Sequence, residues 1–293
     1  MSQEEEPLLY EVSEGIATIT INRPGSMNTL SIPVMIAFVD AIDKADADDE
    51  VKAIIITGKG ERAFCAGADL SQGGATFDYA SQGSIREKLK VNGVFRDWGG
   101  WMTLRIFNCL KPVIAVMNGS AAGVGASLLA AMDFRLAANH AKLAFPFVRR
   151  GIVPDAASSW FLKQAVGLPT ALDWCMTGRT VLADEAFSKG FYRSLHESSE
   201  LMPAARALAQ EIIENASPVS VALTRRIFWR TAGAEHPMEA HKADSRGISM
   251  RGPSADVKEG ISAFMEKRKP NFPGKVSTDM PEVFPYWEEP EFR

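Results

Sequence analysis

Two glycine-rich segments carry the residue types best suited to chemistry on a carbonyl group. The first is Phe64-Cys65-Ala66-Gly67-Ala68-Asp69-Leu70. The second is Asn118-Gly119-Ser120-Ala121-Ala122-Gly123-Val124-Gly125-Ala126-Ser127. Both share one design: an apolar strand, a small-residue turn, then a helix. Small residues let the main chain approach a ligand closely. A helix start leaves N–H groups unpaired and carries partial positive charge. Two such turns side by side can aim two N–H groups at one oxygen, an oxyanion hole that stabilises charge developing on a carbonyl oxygen. Taken singly, either turn serves equally well as a tight-packing device. Neither fits the GxGxxG or GxxxxGKS/T pattern of nucleotide-binding loops.

The elements that must position these turns can be read from periodicity. Residues 16–22 (IATITIN) alternate like a strand and end in the turn signal Arg23-Pro24-Gly25. Ser31 is placed to cap a helix with Pro33 in its first turn. Residues 51–58 and 111–118 are apolar runs of buried-strand type, and each glycine-rich turn follows one of them. Strands and helices alternate to about residue 200, which predicts an α/β fold with parallel strands and helical crossovers. Residues 203–268 read as a helical unit. Residues 269–293 form a tail rich in Pro and aromatics that is expected to hold no helix and to lie on a surface, its own or a neighbour's. The expected division is therefore 1–202, 203–268 and 269–293.

The chain has 293 residues, 46% of them hydrophobic and 23% charged, and a net charge of −4. This is globular composition without the basic excess of a nucleic-acid binder. The acidic start MSQEEE lacks the basic and apolar regions of a signal peptide, and no apolar run is long enough for a bilayer. Cys65, Cys109 and Cys175 are an odd count without metal-ligand spacing. They read as reduced thiols, so the expectation is a cytoplasmic protein with no metal, no membrane and no nucleic-acid partner.

Taken together with their flanks, the motifs closely resemble the crotonase superfamily (the enoyl-CoA hydratase/isomerase family). Ile21-Asn22-Arg23-Pro24 with Asn28-Thr29-Leu30-Ser31 looks like its first-strand signature. Ala63 to Leu70 looks like its AFxAGxDL turn. Lys111-Pro112-Val113-Ile114-Ala115-Val116-Met117-Asn118-Gly119 resembles the second signature. Phe145-Pro146 and Gly151-Ile152-Val153-Pro154 resemble the third, and Ala263-Phe264-Met265-Glu266-Lys267-Arg268 the terminal helix. The likeness is colinear over residues 10–270.

The resemblance implies a spiral of ββα units and a helical C-terminal region used in trimerisation, hence a homotrimer or a hexamer. It implies an acyl-CoA thioester as substrate, with coenzyme A part of that substrate and no separate cofactor. By position, the N–H groups of Ala68 and Val124 form the oxyanion hole. The backbone around Met27, Ala66, Asp69 and Leu70 contacts adenine and pantetheine, while Phe264 and Lys267 reach a neighbouring subunit's CoA. Lys267 read alone is a solvated helix lysine.

The sequence departs from the family's hydratases at both catalytic positions. Ser127 and Phe147 stand where those enzymes carry the two glutamates that hold a water, and neither can act as a general acid or base there. Asp155, after Pro154, stands where several superfamily branches carry a carboxylate, as acid/base in double-bond isomerases and as nucleophile in an aryl-CoA dehalogenase. Burial near Phe147, Trp160 and Phe161 would raise its pKa and make it a better base. Read alone, Asp155 is also a plausible N-cap for the helix that follows. Asp133 reads as structural and Asp69 as a turn residue bonding backbone. Asp78, Glu87 and Asp97 read as solvated, though any could enter the pocket. None of His140, His196, His236 or His241 falls on a catalytic position. Arg149 and Arg150 read as surface or ion-pair residues, one of which could guide an anionic ligand. Three readings stay open: isomerisation through Asp155, hydration or hydrolysis on the same scaffold, and CoA binding without turnover.

Overall fold

The computed structural model describes residues 6–71, 73–78 and 90–292. Glu87 lies outside these residues.

The strand-forming runs build two sheets. The larger has the order β1-β2-β3-β7-β9-β12, with β1 Leu8–Ser13, β2 Ile16–Ile21, β3 Ala53–Gly58, β7 Val113–Met117, β9 Phe134–Ala138 and β12 Ser194–His196. Its strands are parallel except for the edge hairpin β1–β2, whose turn takes Glu14 and Gly15 through positive φ. In β2, Ile16, Ile19 and Ile21 are buried while Thr18 and Thr20 are half-buried, as its alternation predicts. The continuous apolar strands β3 and β7 are buried along their whole length, which explains why their sequences do not alternate.

The smaller sheet has the order β11-β10-β8-β4, with β4 Ala63–Cys65, β8 Ser120–Ala122, β10 Lys142–Ala144 and β11 Thr180–Leu182. The successive pairs β3–β4, β7–β8 and β9–β10 each send one strand to the larger sheet and the next to the smaller. Repetition of that step, with helices between, is the expected spiral. A separate hairpin pairs β5 (Lys90–Val91) with β6 (Val94–Phe95).

Eleven helices occur among the described residues. Helix α1 (Ile32–Ala47) buries Val34, Met35, Phe38, Val39, Ala41, Ile42 and Ala45, a stripe at helical spacing. Ser31 occupies its N-cap position but makes no side-chain capping bond. Helices α2 (Trp98–Asn108), α3 (Val124–Ala130) and α4 (Ser158–Val166) surround the region of the glycine-rich turns. Helices α5 (Leu168–Thr177) and α6 (Ala183–Ser188) flank β11.

Helix α7 (Ser198–Asn215) packs its Leu201, Ala205 and Ala209 face on the larger sheet. Pro203 lies inside this helix, so the chain passes residues 202–203 without a break in secondary structure. The helical unit continues as α8 (Pro218–Thr231), α9 (Met238–Arg251) and α10 (Ala255–Glu266). The tail departs from expectation at one point: α11 (Val276–Asp279) is a single helical turn. It forms in a gap between Pro273 and Pro281, and the Asp279 carboxylate accepts a 2.8 Å bond from the Lys275 N–H at its start. Further along, part of the tail packs on the chain's own helices. Val283 and Phe284 are buried against Val219, Leu223 and Ala243, and Arg230 stacks on Phe284 and Trp287.

Asp133 joins the helical unit to the spiral. Its carboxylate accepts from the Val113 N–H at 2.8 Å, from Trp229 Nε1 at 2.6 Å and from Arg225 Nε at 2.8 Å. Arg225 also donates to the carbonyls of Ile106 and Phe107 at the end of α2. The structural reading of Asp133 holds.

Candidate active site

The signature asparagines place the two glycine-rich turns. Asn28, fully buried, donates to the carbonyl of Ala63 at 2.7 Å and accepts from the Arg23 N–H. Asn118 accepts from the Gly58 N–H and donates to the carbonyls of Gly60 and Ala63. Both therefore fasten their segments to the start of β4. Parallel pairing of β4 with β8 then sets the turns side by side, with Cys65 opposite Ala121.

Two glycines permit the final approach. A Cβ on Gly67 would lie 2.9 Å from the Ala122 carbonyl oxygen. A Cβ on Gly125 would lie 2.8 Å from Cys65 Sγ, and closer still to the Cys65 carbonyl oxygen. Gly125→Ala is therefore expected to push α3 off β4. Overpacking of this kind costs about 1–3 kcal/mol, measurable as a lowered urea midpoint together with reduced turnover. Unchanged stability would show that α3 does not rest on β4 as described.

The main-chain donors follow from this arrangement. Leu30 and Ala68 form an isolated parallel bridge through Leu30 N–H to Gly67 C=O and Asp69 N–H to Leu30 C=O. In such a bridge the N–H of Ala68 itself points away from Leu30. Val124 is the first residue of α3, so its N–H has no partner within the helix. Ala68, Val124 and Asp155 all line one cavity of about 240 Å³, and the same three line a smaller one on its flank. Val124 is buried, and its side chain meets Gly99 of α2.

Asp155 is not the cap of α4. That helix begins at Ser158 with Ala157 at its N-cap. The main-chain carbonyl of Asp155 accepts from the N–H and Oγ of Ser158. This leaves the carboxylate free to face the cavity, where Oδ1 accepts a 3.1 Å hydrogen bond from Ser127 Oγ. Burial pushes the Asp155 carboxyl up to about 7, nearby Asp97 adds to the rise, and the Ser127 bond opposes it. Phe147 lines the smaller cavity. Trp160 and Phe161, expected beside Asp155, line neither cavity and pack instead in a ring cluster with Phe107 and Trp229. The apolar wall of the main cavity comes in part from Phe77 and Trp98.

The turn that carries Asp155 is strained. Ala156 and Ala157 both adopt left-handed backbone, with φ of 55° and 53°. Helix α2 holds this turn from both sides of one residue. The Ala156 N–H donates to Asp97 Oδ1 at 3.2 Å, and Thr103 Oγ1 donates to the Ala156 carbonyl at 2.9 Å. Asp97 is also the N-cap of α2, accepting from the Gly100 N–H, and it lines the main cavity. By sequence alone Asp97 reads as a solvated acid. Its one local signal was a cap position before the helix Trp98–Asn108, and nothing local links it to Asp155.

The other site residues divide into two groups. Ala66 and Leu70 line the smaller cavity, and Asp69 lines the larger. The Ala66 N–H is taken by the Met27 carbonyl and the Asp69 N–H by that of Leu30, so these residues could meet a ligand only through carbonyls or side chains. The Ser71 N–H, and then Arg23 at 3.0 Å, hold the Asp69 carboxyl below the usual range. Phe264, 80% exposed, and Lys267, exposed at the end of α10 with φ 54°, line neither cavity. Arg149 and Arg150 bond the carbonyls of Thr177 and Pro146, and Arg150 borders the smaller cavity. Burial pushes the Cys65 thiol up to about 12, which removes it as a nucleophile at neutral pH. No cluster of potential metal ligands occurs among the described residues, and no described helix is long and apolar enough to cross a membrane.

Residues 11–275 match the family model described as enoyl-CoA hydratase/isomerase. The chain belongs to this family, the crotonase superfamily. An enoyl-CoA hydratase of Alternaria alternata is 40% identical over 261 residues, covering 89% of this chain and 83% of that one. A short-chain-enoyl-CoA hydratase of Clostridium acetobutylicum is 32% identical over 264 residues, covering 89% and 95%. Among solved structures, an enoyl-CoA hydratase from Bacillus anthracis superposes with a TM-score of 0.80 at 26% identity, covering 92% of this chain and all of that one. The crotonase fold is thereby shown, and the chain is an acyl-CoA enzyme of this family.

Proposed function

We propose that this member of the family is an acyl-CoA double-bond isomerase in which one carboxylate, Asp155, moves a proton beneath an oxyanion hole formed by the N–H groups of Ala68 and Val124. The observation that carries the reading is the presence of all three residues around one cavity, with Asp155 poised near neutrality. The thioester oxygen accepts from the two amides, which acidifies the adjacent C–H. Asp155 removes a proton from one carbon, and the C–H electron pair flows toward that oxygen as the enolate forms. Asp155, whose proton can exchange with solvent while it is held, then delivers a proton to the other end of the conjugated system, and the C=C bond is shifted. No water is consumed, and coenzyme A enters only as part of the substrate. A carboxyl group with pKa near working pH suits both halves of this shuttle.

The exposed apolar residues Phe228, Ile248, Ile261, Phe264 and Met265 on α8–α10 support self-association through the helical unit, as a trimer or a dimer of trimers.

A second reading is favoured by one observation: Asp97 lines the same cavity, so two carboxylates are available for water chemistry. A panel of enoyl-CoA esters incubated in deuterium oxide and in oxygen-18 water separates the two. The isomerase exchanges deuterium into the α- or γ-carbon and leaves oxygen-18 out of the product. Oxygen-18 in a hydroxyacyl product or a free acid would assign hydration or hydrolysis instead. Tight binding with neither label incorporated would identify a binding protein without turnover.

A further inference from the structure

Asp97 has a defined relation to the proposed base. We propose that Asp97 is the positioning residue for Asp155: it clamps the turn that carries the base and sets a fixed negative charge against it. This rests on the assignment of Asp155 as the proton carrier.

The clamp is visible in the hydrogen bonds. One oxygen of Asp97 accepts from the Gly100 N–H at 2.5 Å and from the Ala156 N–H at 3.2 Å. The first bond fixes the carboxylate at the start of α2. The second fixes the residue next to Asp155, in a left-handed conformation that alanine adopts only when its surroundings enforce it. Thr103, further along α2, secures the other side of the same residue through the Ala156 carbonyl. A helix thus carries the geometry of a catalytic turn that its own sequence does not favour.

The charge acts on the neighbouring carboxyl. Two N–H donors on one oxygen hold the Asp97 carboxylate in place beside the turn that carries Asp155. Burial is the larger cause of the raised proton affinity of Asp155, and the Asp97 carboxylate beside it adds to the rise. Few other groups compete. Across the cavities Asp155 faces the Ser127 hydroxyl from α3, the Asp69 carboxylate already paired with Arg23, and Arg150, whose guanidinium bonds the Pro146 carbonyl. Neither cavity is lined by a histidine or lysine among the described residues.

The test is carbon-13 NMR on protein labelled at the aspartate carboxyls, with the Asp155 signal assigned by its loss in Asp155→Asn. In Asp97→Asn the side-chain oxygen still accepts both amide bonds, but the charge is gone. The Asp155 midpoint is expected to move down from about 7 toward the ordinary carboxylate range, and the acid limb of kcat/KM to follow it. Ser127→Ala, which removes the opposing hydrogen bond, is expected to move the midpoint up. A midpoint unmoved in folded Asp97→Asn would overturn the proposal. The wild-type protein gives a second check that needs no variant. The Asp97 carboxyl signal is expected to shift as Asp155 titrates, and an Asp97 signal flat through that transition would equally overturn it. These readouts do not depend on turnover. Proton exchange surviving in Asp155→Asn would remove the isomerase assignment while leaving this coupling intact.

Discussion

Asp155→Asn is expected to lose proton exchange at the substrate's α- and γ-carbons while retaining affinity for CoA esters. General acid–base groups contribute roughly 10²–10⁴-fold to a rate, and kcat is expected to fall by about that factor with little change in KM. Asparagine keeps the shape and can still accept from Ser127 Oγ, so the loss isolates the proton-transfer role. In the wild type the base acts only when ionised. Because burial holds the carboxyl at about 7, kcat/KM is expected to rise with pH through that value and then level.

The same substitution carries a stability signature of the opposite sense. The folded state raises the Asp155 carboxyl from 3.8 to about 7. Between those values the unfolded chain ionises first, so the group's contribution is complete below 3.8 and is lost as pH rises through about 7. The displacement corresponds to at most roughly 4 kcal/mol. Asp155→Asn is therefore expected to melt higher than the wild type at about pH 8, with the difference vanishing at about pH 4. Exchange that survives the substitution, or a stability difference independent of pH, would place the base elsewhere.

Asp133→Ala is expected to cost about 3–5 kcal/mol in urea denaturation, the range for leaving a buried charge without its partner. The Arg225 side chain is 5% exposed and that of Asp133 13%. Removing the carboxylate strands this guanidinium, the Trp229 indole N–H and the Val113 N–H together. Asp133→Asn, which keeps one acceptor oxygen, is expected to lose less. A loss below about 1 kcal/mol for the alanine variant would reduce this node to an ordinary surface pair.

Much of the scaffold was legible in the residues alone. The alternation in β2, the apolar runs of β3 and β7, and the stripe of α1 are local patterns, and burial follows them directly. The turn motifs were legible because close approach restricts residue type: Gly67 and Gly125 have no room for a side chain. Other features were misread for equally local reasons. Prolines hid the single turn α11, which fits between two of them. Asp155 looked like a cap because a helix follows, whereas two left-handed alanines separate it from that helix.

The sequence by itself determined which main-chain segments could form the hole and where a carboxylate stood in place of the family's missing glutamates. Those properties depend on residue type and on neighbours a few positions away. Tertiary structure alone decided the environment of that carboxylate. Ser127 lies 28 residues from Asp155 and Asp97 lies 58 away, yet their side chains help determine whether the carboxyl holds a proton near neutral pH. Burial and through-space charge depend on distance in the folded chain, and chain order does not encode that distance.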